Sequence, residues 1–158
     1  MKAGITKKLI SYLLPITALG IVPAVIFCLG GLPFTKYLPL IIFGALIMLA
    51  GLVLLIWSIR KMEKCGKGTL APWTPASVLI TDGPYRYIRN PMISGVVYCL
   101  FGMWMVAWNH WIIVWALFFF IGNTIYFKLF EERVLLRQFG DEYNEYRKKT
   151  PMWLPRFK

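Results

Sequence analysis

Residues 92–127 read MISGVVYCLFGMWMVAWNHWIIVWALFFFIGNTIYF, with no Asp, Glu, Lys or Arg anywhere in the stretch. Two apolar runs, Met92–Trp108 and Trp111–Phe127, are separated by Asn109 and His110 alone. A helix rises 1.5 Å per residue, so about 20 residues cross a hydrocarbon core of roughly 30 Å. Both runs sit at the lower limit of that length, and the first can extend back through Pro91. The pair reads as a tight antiparallel hairpin of membrane helices. Two further uncharged runs, Leu9–Gly30 and Tyr37–Ile59, lie upstream and are long enough to span.

Composition agrees. Of 158 residues, 58% are apolar and 16% charged, and the mean hydropathy is +0.61. An average soluble domain carries about 25% charge, so the chain is neither a disordered tail, a coiled coil nor an ordinary soluble domain. The expectation is an all-α, polytopic membrane protein of a single domain over 1–158. Its four transmembrane helices fall at about 9–30, 37–59, 91–108 and 111–127.

The net charge of +11 suggests nucleic acid in a soluble chain, but here it follows the loops. Lys2, Lys7 and Lys8 precede the first span, and Lys36 alone lies between the first and second. Six bases lie in 60–90, none between the third and fourth spans, and eight lie from Lys128 onward. The positive-inside rule turns this alternation into an orientation, with both termini and a helical tail in the cytoplasm. All seven acids, from Glu63 to Glu145, fall on the same side. A bacterial cytoplasmic membrane is the expected location, with membrane lipids as neighbours and no nucleic-acid partner.

Trp57, Trp104, Trp108, Trp111 and Trp115 mark the interfaces, where amphipathic indoles collect. The first run is longer than a signal-peptide core, and its removal leaves an odd span count, so it is read as a mature helix. Cys28, Cys65 and Cys99 form no disulfide framework. The one histidine, His110, sits in the outer turn, so no metal site is expected. Any chemistry therefore belongs to the inner loop (60–95) and the tail (128–158).

Within the loop, Gly66 and Gly68 free the backbone for positive φ or for close approach to a ligand, while Pro72 and Pro75 exclude a regular helix. Gly83-Pro84 is a turn signal. Tyr85, Arg86, Tyr87 and Arg89 then alternate before Pro91, which opens the third helix. Arg89 and Asn90 thus stand at a helix N-terminus, where unpaired N–H groups and the dipole favour an anion. Arg89 adds a two-pronged carboxylate or phosphate clamp, although Arg86 and Arg89 can equally well snorkel to anionic lipid. In the tail, the last span continues as a helix to Gly140, and a second short helix covers Asp141–Lys149. Glu131 and Glu132 lie about 100° apart on the first of these. One can face a ligand and the other a base such as Arg89 or Arg86. The plain alternative for Glu132 is pairing with Arg133 and Arg137.

The ordered set Gly66-Lys67-Gly68-Thr69, Gly83-Pro84-Tyr85-Arg86-Tyr87-Ile88-Arg89-Asn90-Pro91-Met92, Gly95, Glu131-Glu132, Phe139-Gly140-Asp141-Glu142-Tyr143 and Leu154-Pro155 resembles a family. It is similar to the isoprenylcysteine carboxyl methyltransferase and phospholipid methyltransferase superfamily of integral membrane enzymes. The resemblance runs over about residues 60–158. It implies S-adenosylmethionine as the methyl donor, at the cytoplasmic face, and a lipophilic acceptor such as an isoprenylcysteine-like carboxylate, a phospholipid amine or a thiol. It implies that Gly66, Gly68, Tyr85, Tyr87, Arg89, Asn90, Gly95, Glu131 and Glu132 border the donor, with Arg89 and Glu131 carrying catalysis. Tyr85, Tyr87 or Tyr98 suits a sulfonium by cation–π contact. Two positions depart from the family pattern. Asn90 replaces a signature histidine, which removes a base but keeps hydrogen-bonding capacity, and Ile93 replaces a tyrosine.

Two other classes fit less well. Sterol-reductase-like membrane enzymes that use NADPH are similar around the Arg-Asn-Pro segment but are usually longer, with more helices, and the glutamate pair here favours the methyltransferase. A small cation exporter needs an acid within a span, and none of the four has one.

Overall fold

The computed structural model describes residues 15–31, 34–65 and 78–154. The expected first span is thus covered only in its second half, and Gly66 and Gly68 lie outside the described residues. Every element among the described residues is helical.

Helix α1, Thr17–Gly30, begins with a π turn over Thr17–Ile21 and continues as an α-helix over Val22–Gly30. Pro23 accounts for the wide turn, because it has no N–H to give and its ring crowds the carbonyl four residues back. Helix α2 covers Leu38–Cys65 and runs beyond the expected span end at Ile59, carrying Arg60, Lys61 and Lys64 out on its last turns. Helix α3 covers Pro91–Ala107 and opens at Pro91 as the sequence predicts. It ends one residue earlier than expected, at Trp108 in the left-handed region (φ 50°). Asn109 then caps helix α4, His110–Tyr126, by accepting the Trp111 N–H at 3.0 Å. That cap makes so short a turn between two long helices feasible.

Helix α4 does not stop at the end of its apolar run. It passes through a π turn, Phe127–Glu131, into helix α5, Glu132–Lys149, which kinks at Gly140 (φ 52°). The glycine thus separates two helical pieces, and it is the positive φ that calls for a residue without Cβ.

The tightest packing joins α2 to α3 through glycines spaced seven apart on each helix. A Cβ placed on Gly51 meets the Cys99 N and the Gly95 O at 2.8 Å, and one on Gly44 meets the Gly102 O at 2.9 Å. With no side chain at the crossing, the two backbones touch, the device by which helices associate where lipid removes the hydrophobic drive. Around this seam Leu55, Ile93, Val96 and Leu100 form the core with Ala18 from α1 and Ala116 and Phe119 from α4. The Trp115 Nε1 donates to the Ala18 O at 3.1 Å and fastens α1 to α4.

The opposite faces are apolar and open. Ile42, Phe43, Leu46, Leu49, Val53 and Ile56 of α2 are exposed, as are Val114, Leu117, Phe118, Ile121 and Ile125 of α4. Stripes of this extent are incompatible with water and belong in a bilayer. Two helices, Leu38–Lys64 and the continuous His110–Lys149, are long and apolar enough to cross one, while Thr17–Gly30 and Pro91–Ala107 are apolar but shorter.

The seam yields a contrast. Replacing Gly51 by Leu forces a side chain into backbone atoms and lowers stability by about 1–3 kcal/mol or more. Gly122→Leu, where a Cβ meets nothing within 4 Å, leaves it unchanged. Thermal unfolding of the detergent-solubilised protein checks both; equal midpoints for the two variants contradict the seam.

Candidate functional site

The segment from Gly83 to Tyr98 and the returning tail are tied together at the end of the bundle where the charges lie. Gly83 (φ 61°) and Pro84 start a 3-10 turn, Gly83–Arg86, and the Tyr87 and Ile88 N–H groups both donate to the Pro84 O at 3.2 Å. Lys61 at the end of α2 pairs with Asp82, and the Tyr85 hydroxyl donates to the Met62 Sδ at 3.4 Å, so the turn is anchored to α2.

Beyond the Gly140 kink, α5 turns Tyr143 and Tyr146 inward, both buried, and leaves Arg147, Lys148 and Lys149 outward and exposed. The Tyr146 hydroxyl donates to the Tyr85 O at 2.6 Å, and the Thr150 hydroxyl to the Arg86 O at 3.4 Å. The chain then lies across the start of α3. The Arg89 N–H donates to the Pro151 O at 2.9 Å and the Asn90 N–H to the Met152 O at 3.4 Å. The Trp153 O accepts from the Ser94 hydroxyl at 3.3 Å and from the Tyr98 hydroxyl at 3.4 Å, while its ring packs on Phe120 and Phe127. The backbone N–H groups of Arg89 and Asn90, just before the first turn of α3, are thus taken by the protein's own tail carbonyls.

What remains is side-chain charge. The Arg89 Nη1 donates to the Glu132 Oε1, and the same nitrogen lies 3.4 Å from the Tyr143 hydroxyl. The Arg147 Nη1 sits 3.6 Å from the other Glu132 oxygen. Glu132 thus holds Arg89 and Arg147; its expected partners Arg133 and Arg137 are exposed instead. The Arg89 Nε is buried and finds no acceptor among the described residues, and such a donor carries a real cost unless something accepts from it.

Among the described residues, no Lys or Arg forms an ion pair with Glu131. Tyr85, Tyr126 and Tyr143 feel its charge, and burial pushes its carboxyl up to about 7. The two adjacent glutamates therefore differ. One is locked in an ion pair, and the other is poised to gain or lose a proton near neutrality.

Of the remaining expected residues, Tyr85 stands in this cluster. Tyr87 lines a separate polar cavity of about 700 Å³ with Arg86, Glu142, Glu145, Tyr146 and Lys149. Gly95 faces α2, where a Cβ meets the Gly51 O and the Leu55 N at 2.9 Å. Its smallness serves the helix seam. Sequence reading missed the pairing of Arg147 with Glu132, for which no local pattern exists. The inward pair Tyr143 and Tyr146 was visible as aromatics three apart on an otherwise charged helix. Among the described residues, no group of three His, Cys, Asp or Glu side chains is placed to hold a metal.

A family model described as phospholipid methyltransferase matches residues 39–142. Over 84 residues, 49% of this chain and 33% of the relative, the sequence is 34% identical to Protein-S-isoprenylcysteine O-methyltransferase of Schizosaccharomyces pombe. Over 74 residues, 45% of this chain and 28% of the relative, it is 38% identical to Methanethiol S-methyltransferase of Mycobacterium tuberculosis. The aligned part thus spans about a third of the length of these curated relatives. No solved structure matches the chain significantly.

The Glu131 carboxyl gives a signed pH effect. Because its folded value lies above the usual carboxylate range, its contribution to stability is fully present below about pH 4.5 and is lost as pH rises through about 7. The difference in unfolding free energy between the protein and its Glu131→Gln variant should shift by about 2–3 kcal/mol between pH 4.5 and 8. Denaturant titrations at the two pH values measure it. A difference that does not change with pH contradicts the assignment.

Proposed function

The chain belongs to the phospholipid methyltransferase family, and from that premise we propose that it transfers a methyl group from S-adenosylmethionine to a lipophilic acceptor at the cytoplasmic face of a membrane. In this reading α1 to α4 all cross the bilayer, the two shorter ones included, in a bacterial cytoplasmic membrane. Both termini and the Gly83–Trp153 cluster then lie inside. The distribution of Lys and Arg supports that orientation.

The observation that carries the reading is Arg89. Its guanidinium is held at the membrane edge by Glu132 while its Nε stays buried with no acceptor among the described residues. An α-carboxylate is the chemistry that such a donor accepts, and a charge-assisted bond there satisfies the atom. Glu132, already oriented by two arginines, offers acceptor oxygens to an ammonium or to ribose hydroxyls, and Glu131 borders the same space. The donor supplies an electrophilic methyl carbon on a sulfonium. The protein's part is to position it, exclude water and leave the bilayer side open to the acceptor. The activities for which the two relatives are named, on an isoprenylcysteine and on methanethiol, support an apolar acceptor entering between the helices.

Calorimetry on the detergent-purified protein with S-adenosylmethionine and, separately, with NADPH tests the reading. Binding of S-adenosylmethionine alone, weakened tenfold or more by Arg89→Ala, is the expected result. Binding of NADPH alone, or of neither, contradicts it.

A further inference from the structure

The hairpin of α3 and α4 is closed at one end by the Asn109 cap. At its other end, beside the charged cluster, a residue of the tail is inserted between the two helices. That residue is Trp153. On the α3 side its carbonyl accepts from the Ser94 hydroxyl at 3.3 Å and the Tyr98 hydroxyl at 3.4 Å. On the α4 side its ring meets Phe120 and Phe127, with centroids 5.1 and 6.4 Å away. The side chain also packs on the core cluster that holds Val96 and Phe119.

The backbone before it is fixed as well, because the Pro151 and Met152 carbonyls take the N–H groups of Arg89 and Asn90. Moving the indole aside therefore means breaking several contacts together. Trp153 is a wall in this structure and not a loose flap.

Its level along the hairpin gives the wall a consequence. Ser94 follows Arg89 by five residues, and Phe127 precedes Glu132 by five. At 1.5 Å per residue both stand roughly 7 Å from the Arg89–Glu132 pair, toward the middle of the bundle. The indole thus shuts the α3–α4 gap on the bilayer side of the residues assigned to the donor. An apolar group can lie against its face, but a bulky chain has no space in a gap already packed by three rings.

Resting on the methyltransferase reading, we propose that Trp153 sets the size of the acceptor, admitting a short apolar group and excluding a prenyl or other long chain from the α3–α4 gap. Specificity of this kind comes from a clash built against the larger molecule. Trp153 touches no group assigned to the donor, so its part is selection and not catalysis.

Trp153→Ala isolates the ring. The bonds from Ser94 and Tyr98 end on a backbone carbonyl that any residue keeps, so the tail stays anchored while a recess opens beside Phe120 and Phe127. Phe120→Ala opens the same recess from the α4 side without touching the tail.

The test measures transfer from labelled S-adenosylmethionine to two acceptor series, alkanethiols and S-alkylated N-acetylcysteines, each with a butyl and a farnesyl chain. Using both series frees the result from the nature of the reacting atom. The wild type should favour the butyl chain by about tenfold or more in kcat/KM. Trp153→Ala and Phe120→Ala should each raise kcat/KM for the farnesyl chain by about tenfold or more, with the donor Kd kept within threefold. Trp153→Phe, which keeps a ring, should retain the wild-type order. A loosened fold lowers every acceptor alike and cannot produce a gain for one. A wild type that favours farnesyl, variants that lower both chains in proportion, or a Trp153→Phe that matches Trp153→Ala each overturns the proposal alone. A wild type that binds S-adenosylmethionine but methylates neither series overturns the proposal and leaves donor binding standing. One that binds no S-adenosylmethionine overturns the methyltransferase reading and this proposal with it.

Discussion

The arrangement at the membrane edge depends on the pairing of Arg89 with Glu132. Two charges removed from water cost several kcal/mol each, and their attraction repays this only when further bonds complete the pair. Here the completion comes from the Tyr143 hydroxyl on the Arg89 side and from Arg147 on the Glu132 side. The pair joins residue 89, just before α3, to residue 132, at the start of α5. It thereby fixes the angle at which the tail leaves the bundle. Once the tail is so directed, Pro151 and Met152 reach the N–H groups of Arg89 and Asn90, and Trp153 reaches Ser94 and Tyr98.

The same geometry explains how neighbouring identical residues acquire different chemistry. Positions 131 and 132 differ by about 100° around a helix, and the π turn ends between them. One side chain meets two guanidinium groups. The other meets phenols and low-dielectric surroundings, and its proton is loosely held near neutrality.

Much of the fold was legible because membrane solvation writes itself into local sequence. The uncharged runs gave helices, Pro91 gave the start of α3, Asn109 marked the turn and Gly140 marked the kink, each through a short-range rule. The α2–α3 seam was written just as plainly, in glycines at 44, 51, 95 and 102, but its meaning rests on which residues face one another across two helices. Gly95 was accordingly placed with the donor by resemblance, while the structure sets it against Gly51. The tail's occupation of the α3 start was illegible for a related reason. Partners 62 residues apart in sequence leave no periodic trace. From sequence either glutamate could face Arg89 or Arg86, and only the fold could say that Arg89 takes Glu132.

The central claim is that the Arg89–Glu132 pair holds the tail on the bundle. A double-mutant cycle with Arg89→Met, Glu132→Gln and the two combined, read from unfolding free energies in detergent, tests it most directly. The account predicts a coupling of about 2 kcal/mol, the double variant losing much less than the sum of the single ones. A coupling within about 0.3 kcal/mol of zero would contradict it, because the tail would then be held without help from the pair.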